Sequence, residues 1–451
     1  MTSLGFYGAA HEVTGSNYLL KTDDGHHILV DCGYFQGGRR NERRNYKQFH
    51  YDPEKVTGLI LTHAHLDHSG RLPKLVAAGF KGPIYATPAT IDLAAIVLED
   101  AAHLMTEAHE RYGDPILYTP QDLTKTIKIM KPIEYHSPTR IAPTIEFEFY
   151  DAGHILGSTW VKLTIDGKTI VFTGDMGNPP VPFLRPTELP ERADYLLTES
   201  TYGGRVHESD TERMTKLKAA ITQTIGGGGT LMIPSFAIER TQEVIYMLDQ
   251  MYEHQELPHA PVFLDSPLAI KATAIFRKYA RYYNQRQKAE ISSGEDLLKF
   301  PDLKVTLSTD ESKTINEVKG PKIIIAGAGM MNGGRILHHA KRYLPDPKSQ
   351  LLIIGYQVEN SIGRQLLDGA RRVKIHHQIV PVRAKVSAIG AFSAHADQPK
   401  LLKFAQAINP PPKKIFITHG EVSQSVALSD ELEHRLGIET VVPPFGSVVE
   451  L

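Results

Sequence analysis

Residues 59–70 read LILTHAHLDHSG, an apolar run followed at once by three histidines and an aspartate within six positions. Were 63–68 helical, His63 and His65 would project about 200° apart, because each residue turns by about 100°. They could not then share one ion. In an extended segment leaving a strand, alternate residues face one way, so His63, His65 and Asp67 converge and His68 joins from the turn that follows. Imidazole and carboxylate are usual ligands of zinc and manganese, and four such groups this close read as half of a metal site.

The other half has to come from elsewhere in the chain. His154 lies in YDAGHILGS after the run IEFEFY, Asp175 ends IVFTGD, and His419 follows KIFIT. Each stands just past a strand-like run. Singly, such a histidine is more often structural, and most of the 21 histidines need no metal role. With the first cluster these three complete a site for two ions, with one carboxylate free to bridge.

Similar short apolar runs recur at 58–62, 195–199, 230–234, 322–327 and 351–355, and read as buried strands. Helical patterns at 89–105, 239–252 and 398–408 alternate with them, which gives a layered α/β architecture. The segment 16–33 differs: two strands joined by DDG read as a hairpin, so the first sheet is antiparallel or mixed. GGGG at 226–229 reads as a tight helix-to-strand connection. With 451 residues, the chain is longer than one core usually serves. Its formal charge of −1 offers a polyanion no net attraction, so such a partner would need a local basic groove. Cys32 is the single cysteine, the start carries no secretion signal, and no run is long enough to span a bilayer. The expected compartment is the cytoplasm, with no membrane partner.

THAHLDHSG, DAGHILGS and FTGDMG together resemble the signature of the metallo-β-lactamase superfamily in order and spacing. That resemblance implies an αββα sandwich. It also implies that His63, His65 and His154 bind one ion, Asp67 and His68 the other, and that Asp175 bridges them. The interval 176–418 is far too long for a loop, and an inserted α/β domain is the economical explanation. ESTYGGR 199–205, IPSFAIERTQEVI 233–245, LDSPLA 264–269, AGAGMMNGGRILHH 326–339, GYQVENSIGRQLLDG 355–369, FSAHAD 392–397 and ITHGE 417–421 resemble the β-CASP group, the nucleic-acid-processing branch. Within that group the chain resembles an RNA-processing ribonuclease of bacterial or archaeal type, similar to the cleavage and polyadenylation endonuclease. Expected boundaries are 1–205 and 381–451 for the sandwich and 206–380 for the insertion, with the active site between the two.

The β-CASP resemblance places Glu199, His395 and His419 in the group's three motifs. A histidine in the third is the form associated with RNA-processing members, and His419 would complete the second ion's ligands. The function implied is hydrolysis of single-stranded RNA, internally or from the 5′ end, by water activated between two divalent ions, zinc first and manganese second. Asp67, Glu199 and His395 are the expected catalytic groups, His395 as general acid and Glu199 orienting it or sharing its proton. The plainer readings are a strand-end carboxylate for Glu199 and a helix-start histidine for His395. Ser235, Arg240, Ser266, Arg335 and Arg364 are candidate phosphate contacts, with interdomain ion pairs as the alternative for the arginines. GGRRNERRNYKQF 37–49 has five basic residues with Tyr46 and Phe49, which reads as a rim for RNA or as an ordinary solvated face. Two other functions compete. A small-molecule hydrolase of thioesters or lactams needs no large insertion, and a non-catalytic scaffold needs no complete ligand set. A homodimer is compatible with the sequence, but no residue argues for it.

Overall fold

A computed structural model describes residues 2–178, 180–358 and 360–451, and the side chains of all of these except Arg39, Asp210 and Ala391. Glu359 of the segment 355–369 and the Arg39 side chain of the segment 37–49 therefore lie outside the described residues. The chain divides into two compact units, one made of Met1–Pro179, Leu184–Val206 and His395–Leu451, the other of Pro180–Phe183 and His207–Ala394.

In the first unit the runs of apolar residues form two seven-stranded sheets. One has the order Val448–Glu450, Ser3–Phe6, Tyr18–Lys21, His27–Val30, Val56–Ile60, Ile84–Ala86, Met130–Pro132. Its hairpin half is antiparallel, as the DDG turn predicts, and it becomes parallel from His27–Val30 onward. The other has the order Thr440–Val441, Lys414–Ile417, Tyr195–Thr198, Lys168–Phe172, Thr159–Ile165, Ile145–Asp151, Thr139–Ala142. Period-two alternation builds the core between them. Leu4, Phe6, Leu20, Ile28 and Val30 from one sheet meet Phe147, Phe149, Leu163, Phe172 and Phe416 from the other.

Helices close both outer faces, giving the αββα sandwich expected from the sequence. Pro88–Tyr112 packs with Pro120–Ile129 through Leu98, Ala102 and Leu123. It starts where Thr87 accepts a hydrogen bond from Thr90 N with proline at the first position, and stops at Gly113 with φ +70°. Gln398–Gln406 and Val422–Leu436 cover the second sheet through Leu401, Phe404, Leu428 and Leu432, against Trp160 and Ile415. Among the described residues no helix is long and apolar enough to cross a membrane.

The second unit is a six-stranded sheet, parallel throughout, in the order Leu303–Val305, Val262–Asp265, Lys322–Ala326, Thr230–Pro234, Gln350–Ile353, Lys385–Ala388. Its apolar strands are flanked by helices such as Asp210–Gly226, Arg240–Glu253 and Ile336–Tyr343. A two-stranded antiparallel ribbon, Arg372–Ile375 with Gln378–Pro381, lies beside them. The unit runs on to Ala394, past the 380 expected, because Lys385–Ala388 is its edge strand. That strand reads KVSA, too polar to announce itself as a buried run.

Candidate metal centre

Strand direction gathers the ligands at one pole of the first unit. Ile145–Asp151, Lys168–Phe172, Tyr195–Thr198 and Lys414–Ile417 all run the same way, so the segments carrying His154, Asp175, Glu199 and His419 leave from one edge of their sheet. Val56–Ile60 delivers the histidine cluster from the other sheet. The extended conformation persists only to His65, which has ψ 148° and caps the short helix Leu66–Ser69. Asp67 therefore lies in that helical turn and groups with His68 and His419, which corrects the expectation of a segment extended through Asp67. Gly174, φ +52°, is required before Asp175, because a Cβ there would lie 2.8 Å from the Thr62 side chain.

Two sets of ligand atoms result. In the first, His63 Nε2 and His154 Nε2 each stand 3.2 Å from His65 Nδ1. Asp175 Oδ2 lies 3.4 Å from His63 Nε2 and 3.7 Å from His154 Nε2. In the second, His68 Nε2 is 3.2 Å from His419 Nε2, which is 3.5 Å from Asp67 Oδ2. Asp175 Oδ1 is 3.3 Å from His68 Nε2. One carboxylate thus stands with one oxygen near each set. The ligand atoms of His63, His65, His154 and Asp175 lie within 4.8 Å of one another, as do those of Asp67, His68 and His419 and those of Asp175, Glu199, His395 and His419.

The electrostatics ask for cations. Asp175 is buried, and neither of its oxygens accepts a hydrogen bond. Burial works against its charge, and the imidazoles of His419, His68, His395 and His63 hold it well below the usual carboxylate range without a hydrogen bond. Burial holds His63 and His65 neutral, pushed down to about 3 and about 4, and takes His154 well below its ordinary value. Neutral imidazole is the ligand form. At Asp67 burial works against the charge, but the imidazoles of His419 and His68 outweigh it. These donors fit divalent metal ions, zinc and manganese among them.

Two residues that the sequence reading passed over hold the ligands in place. Asp31 Oδ2 lies 2.7 Å from His68 Nδ1 and also accepts from Thr62 Oγ1, while Asp31 Oδ1 accepts from Thr62 N, so His68 presents Nε2. Thr201 Oγ1 lies 3.2 Å from His419 Nδ1. The signal for Asp31 was present, since HILVDCG ends an apolar run on a carboxylate just as IVFTGD does.

Beside the ligands, Glu199 Oε2 stands 3.0 Å from His395 Nδ1, and Glu199 Oε1 accepts from Met176 N. His395 is fixed by a bridge to Gly177 and lies 3.8 Å from Asp175 Oδ2. Burial disfavours a charged His395, but Glu199 and Asp175 together raise it to about 9.

The five candidate phosphate contacts lie in the second unit and are engaged within it. Arg240, 3% exposed, binds the Glu243 carboxylate and the Phe392 carbonyl. Arg335 donates to Asp265 Oδ1 at 2.7 Å and to the carbonyls of Thr306 and Leu307. Ser266 caps the helix Pro267–Lys278, Ser235 donates to the Phe236 carbonyl, and Arg364 pairs with Asp368. The arginine pairs are thus internal to one unit. In the segment 37–49, Arg44 pairs with Glu12 and lies over Phe35, while Phe49 stacks on Tyr51.

The chain matches the family model described as the metallo-beta-lactamase superfamily over residues 12–222, the Beta-Casp domain over 241–366 and the Zn-dependent metallo-hydrolase RNA specificity domain over 379–443. It is 39% identical to Ribonuclease TTHA0252 of Thermus thermophilus over 98% of each chain. It is 33% identical to an RNase J-like protein of Methanocaldococcus jannaschii over the whole of both. It is 31% identical to Transcription termination factor FttA of the same organism, covering 97% of this chain and 70% of that one. A crystal structure of a protein of unknown function from Enterococcus faecalis has the same fold, with TM-score 0.58 at 13% identity over the whole of both chains.

Proposed function

The chain belongs to the β-CASP branch of the metallo-β-lactamase superfamily, and from that premise we propose that it is a metal-dependent ribonuclease acting on single-stranded RNA. The observation that carries this reading is Asp175, a buried carboxylate with no hydrogen-bond donor and one oxygen turned to each of two histidine sets. His63, His65, His154 and Asp175 would hold one divalent ion, and Asp67, His68, His419 and Asp175 the other, with zinc the first candidate. Such a pair, when bound, lowers the pKa of water and neutralises charge building on a phosphodiester.

The chain's own residues supply the rest. Burial keeps the imidazoles of His63, His65 and His154 neutral, so they can act as ligands near neutral pH. Asp31 and Thr201 fix the faces of His68 and His419 that point inward. Glu199 accepts at the Nδ1 side of His395 and holds its charged form, so the imidazole could deliver a proton to the departing ribose oxygen, a poor leaving group unless protonated.

The test is cleavage of a 5′-labelled single-stranded RNA by the metal-reconstituted protein, beside the matching DNA and an elemental analysis. RNA-selective cleavage with two ions per chain is the expected result, and product lengths separate internal cutting from progress along the strand from its 5′ end. A metal-loaded protein that leaves RNA intact would return the question to small-molecule hydrolysis.

A further inference from the structure

The chain's net charge is −1, yet residues 371–385, RRVKIHHQIVPVRAK, contain five cations, two histidines and no acidic residue. These residues form the antiparallel ribbon of the second unit, with Val373 opposite Val380 and Lys374 opposite Ile379. Alternation sorts its faces. Val373, Ile375 and Val380 are buried in the apolar cluster that also holds Ile336, Leu337 and Leu366, while Arg372 and Lys374 stand outward. Arg371 and Arg383 are exposed at its base, where Val382 N donates to the Arg371 carbonyl. Among the described residues no carboxylate pairs with any of these four cations.

The turn end of the ribbon is aromatic. His376 and His377 occupy it with φ +47° and +65°, and the exposed His338 lies against His376 with ring centroids 4.6 Å apart. On the outward face Ile379 is 63% exposed beside Lys374. A face that only confers solubility mixes both signs of charge and keeps large apolar side chains covered. This one has a single sign, a bare isoleucine and an open ring stack. Side chains on one face of a strand repeat at about 6.8 Å, close to the step between phosphates of a stretched nucleic-acid strand.

We propose that the ribbon 371–383 is a docking surface for RNA outside the metal centre, with Arg372, Lys374 and Arg383 on successive phosphates and the His376–His338 pair as a platform for a base. It is the local basic surface that a nearly neutral chain needs to retain a polyanion. The inference rests on the ribonuclease reading and adds to it a second hold on the substrate.

The experiment compares three proteins on an RNA of about 30 nucleotides over a range of salt, a length that spans more than one single-strand site. They are the native chain, the variant Arg372→Ser/Lys374→Ser/Arg383→Ser, and the control Lys81→Ser/Lys128→Ser/Lys131→Ser, which removes equal charge from exposed positions of the first unit. The ribbon variant should raise KM about tenfold at about 0.15 M salt with kcat unchanged, and lower the salt slope of log KM by about 2, near 0.7 per lost phosphate contact. The control should match the native chain. An unchanged KM and slope in the ribbon variant, or an equal rise in the control, overturns the proposal and leaves the ribbon to some other acidic partner. Should the native chain cleave no RNA, the ribonuclease reading fails, and fluorescence anisotropy of the same labelled RNA on the three proteins still decides whether the ribbon binds it.

Discussion

Asp265 ends a strand of the second unit and Asp175 stands three residues past one of the first; both are almost completely buried, and both stand in motifs that read as functional. Their surroundings are opposite. Asp265 is fully supplied: Thr306 Oγ1, Ser312 Oγ, Arg335 Nη1 and His339 Nε2 all lie at 2.6–2.7 Å. Burial alone would raise its pKa, but these four hold it well below the usual carboxylate range. Around Asp175 the nearest atoms are imidazole nitrogens at 3.3–3.5 Å, and none makes a hydrogen bond. A carboxylate that the chain satisfies is scaffolding, and one it leaves wanting is a place for something else.

The contrast is broken most severely by removing each acid in turn. Asp175→Ala should abolish two-ion loading and reduce RNA cleavage at least about a thousandfold, the several kcal/mol that a metal pair supplies. Elemental analysis and single-turnover cleavage measure it, and the metal-free variant should unfold at a temperature close to that of the metal-free native chain. Asp265→Ala should do the reverse. It strands Arg335 and His339, and denaturant unfolding should show a loss of about 3–5 kcal/mol with metal content unchanged. A normal stability for Asp265→Ala, or normal metal content for Asp175→Ala, would erase the distinction.

His395→Ala has a smaller effect than either. Its ring touches the ligand set through Asp175 but is held chiefly by Glu199, so kcat should fall about a hundredfold, the range of a lost general acid, with both ions retained. Loss of metal in this variant would make His395 a ligand instead.

The metal centre was legible because its chemistry is written in residue type: imidazoles and carboxylates at strand ends, where polar side chains have little other reason to cluster. Arg240 and Arg335, read as candidate phosphate contacts, are engaged inside the second unit instead. Sequence displays a charged residue, but not the partners that engage it: Asp265 for Arg335, and for Arg240 both Glu243 one turn along its own helix and the distant Phe392 carbonyl. The fold follows a similar line. Apolar runs such as TLMIP and KIIIA lie within strands, whereas KVSA, at a sheet edge with one side in water, has no hydrophobic pattern to read.

A third buried acid sharpens the comparison with the smallest effect. Asp249, 5% exposed on the helix Arg240–Glu253, has neither an ion site nor hydrogen-bond donors among the described residues. Burial first, then the charges of Glu253, Asp296 and Glu295, push its pKa up to about 7. Its remedy is the proton. Because the folded value exceeds the unfolded value near 4, the native state binds the proton more tightly, and stability falls as pH rises from about 4 to about 7. Asp249→Asn removes the charge that has to be buried above that window. The variant should therefore gain about 1–2 kcal/mol at pH 8, gain nothing at pH 4, and flatten the pH dependence between. Urea unfolding at the two pH values measures both ends, and an equal shift at both would assign the effect to packing and take Asp249 out of the comparison.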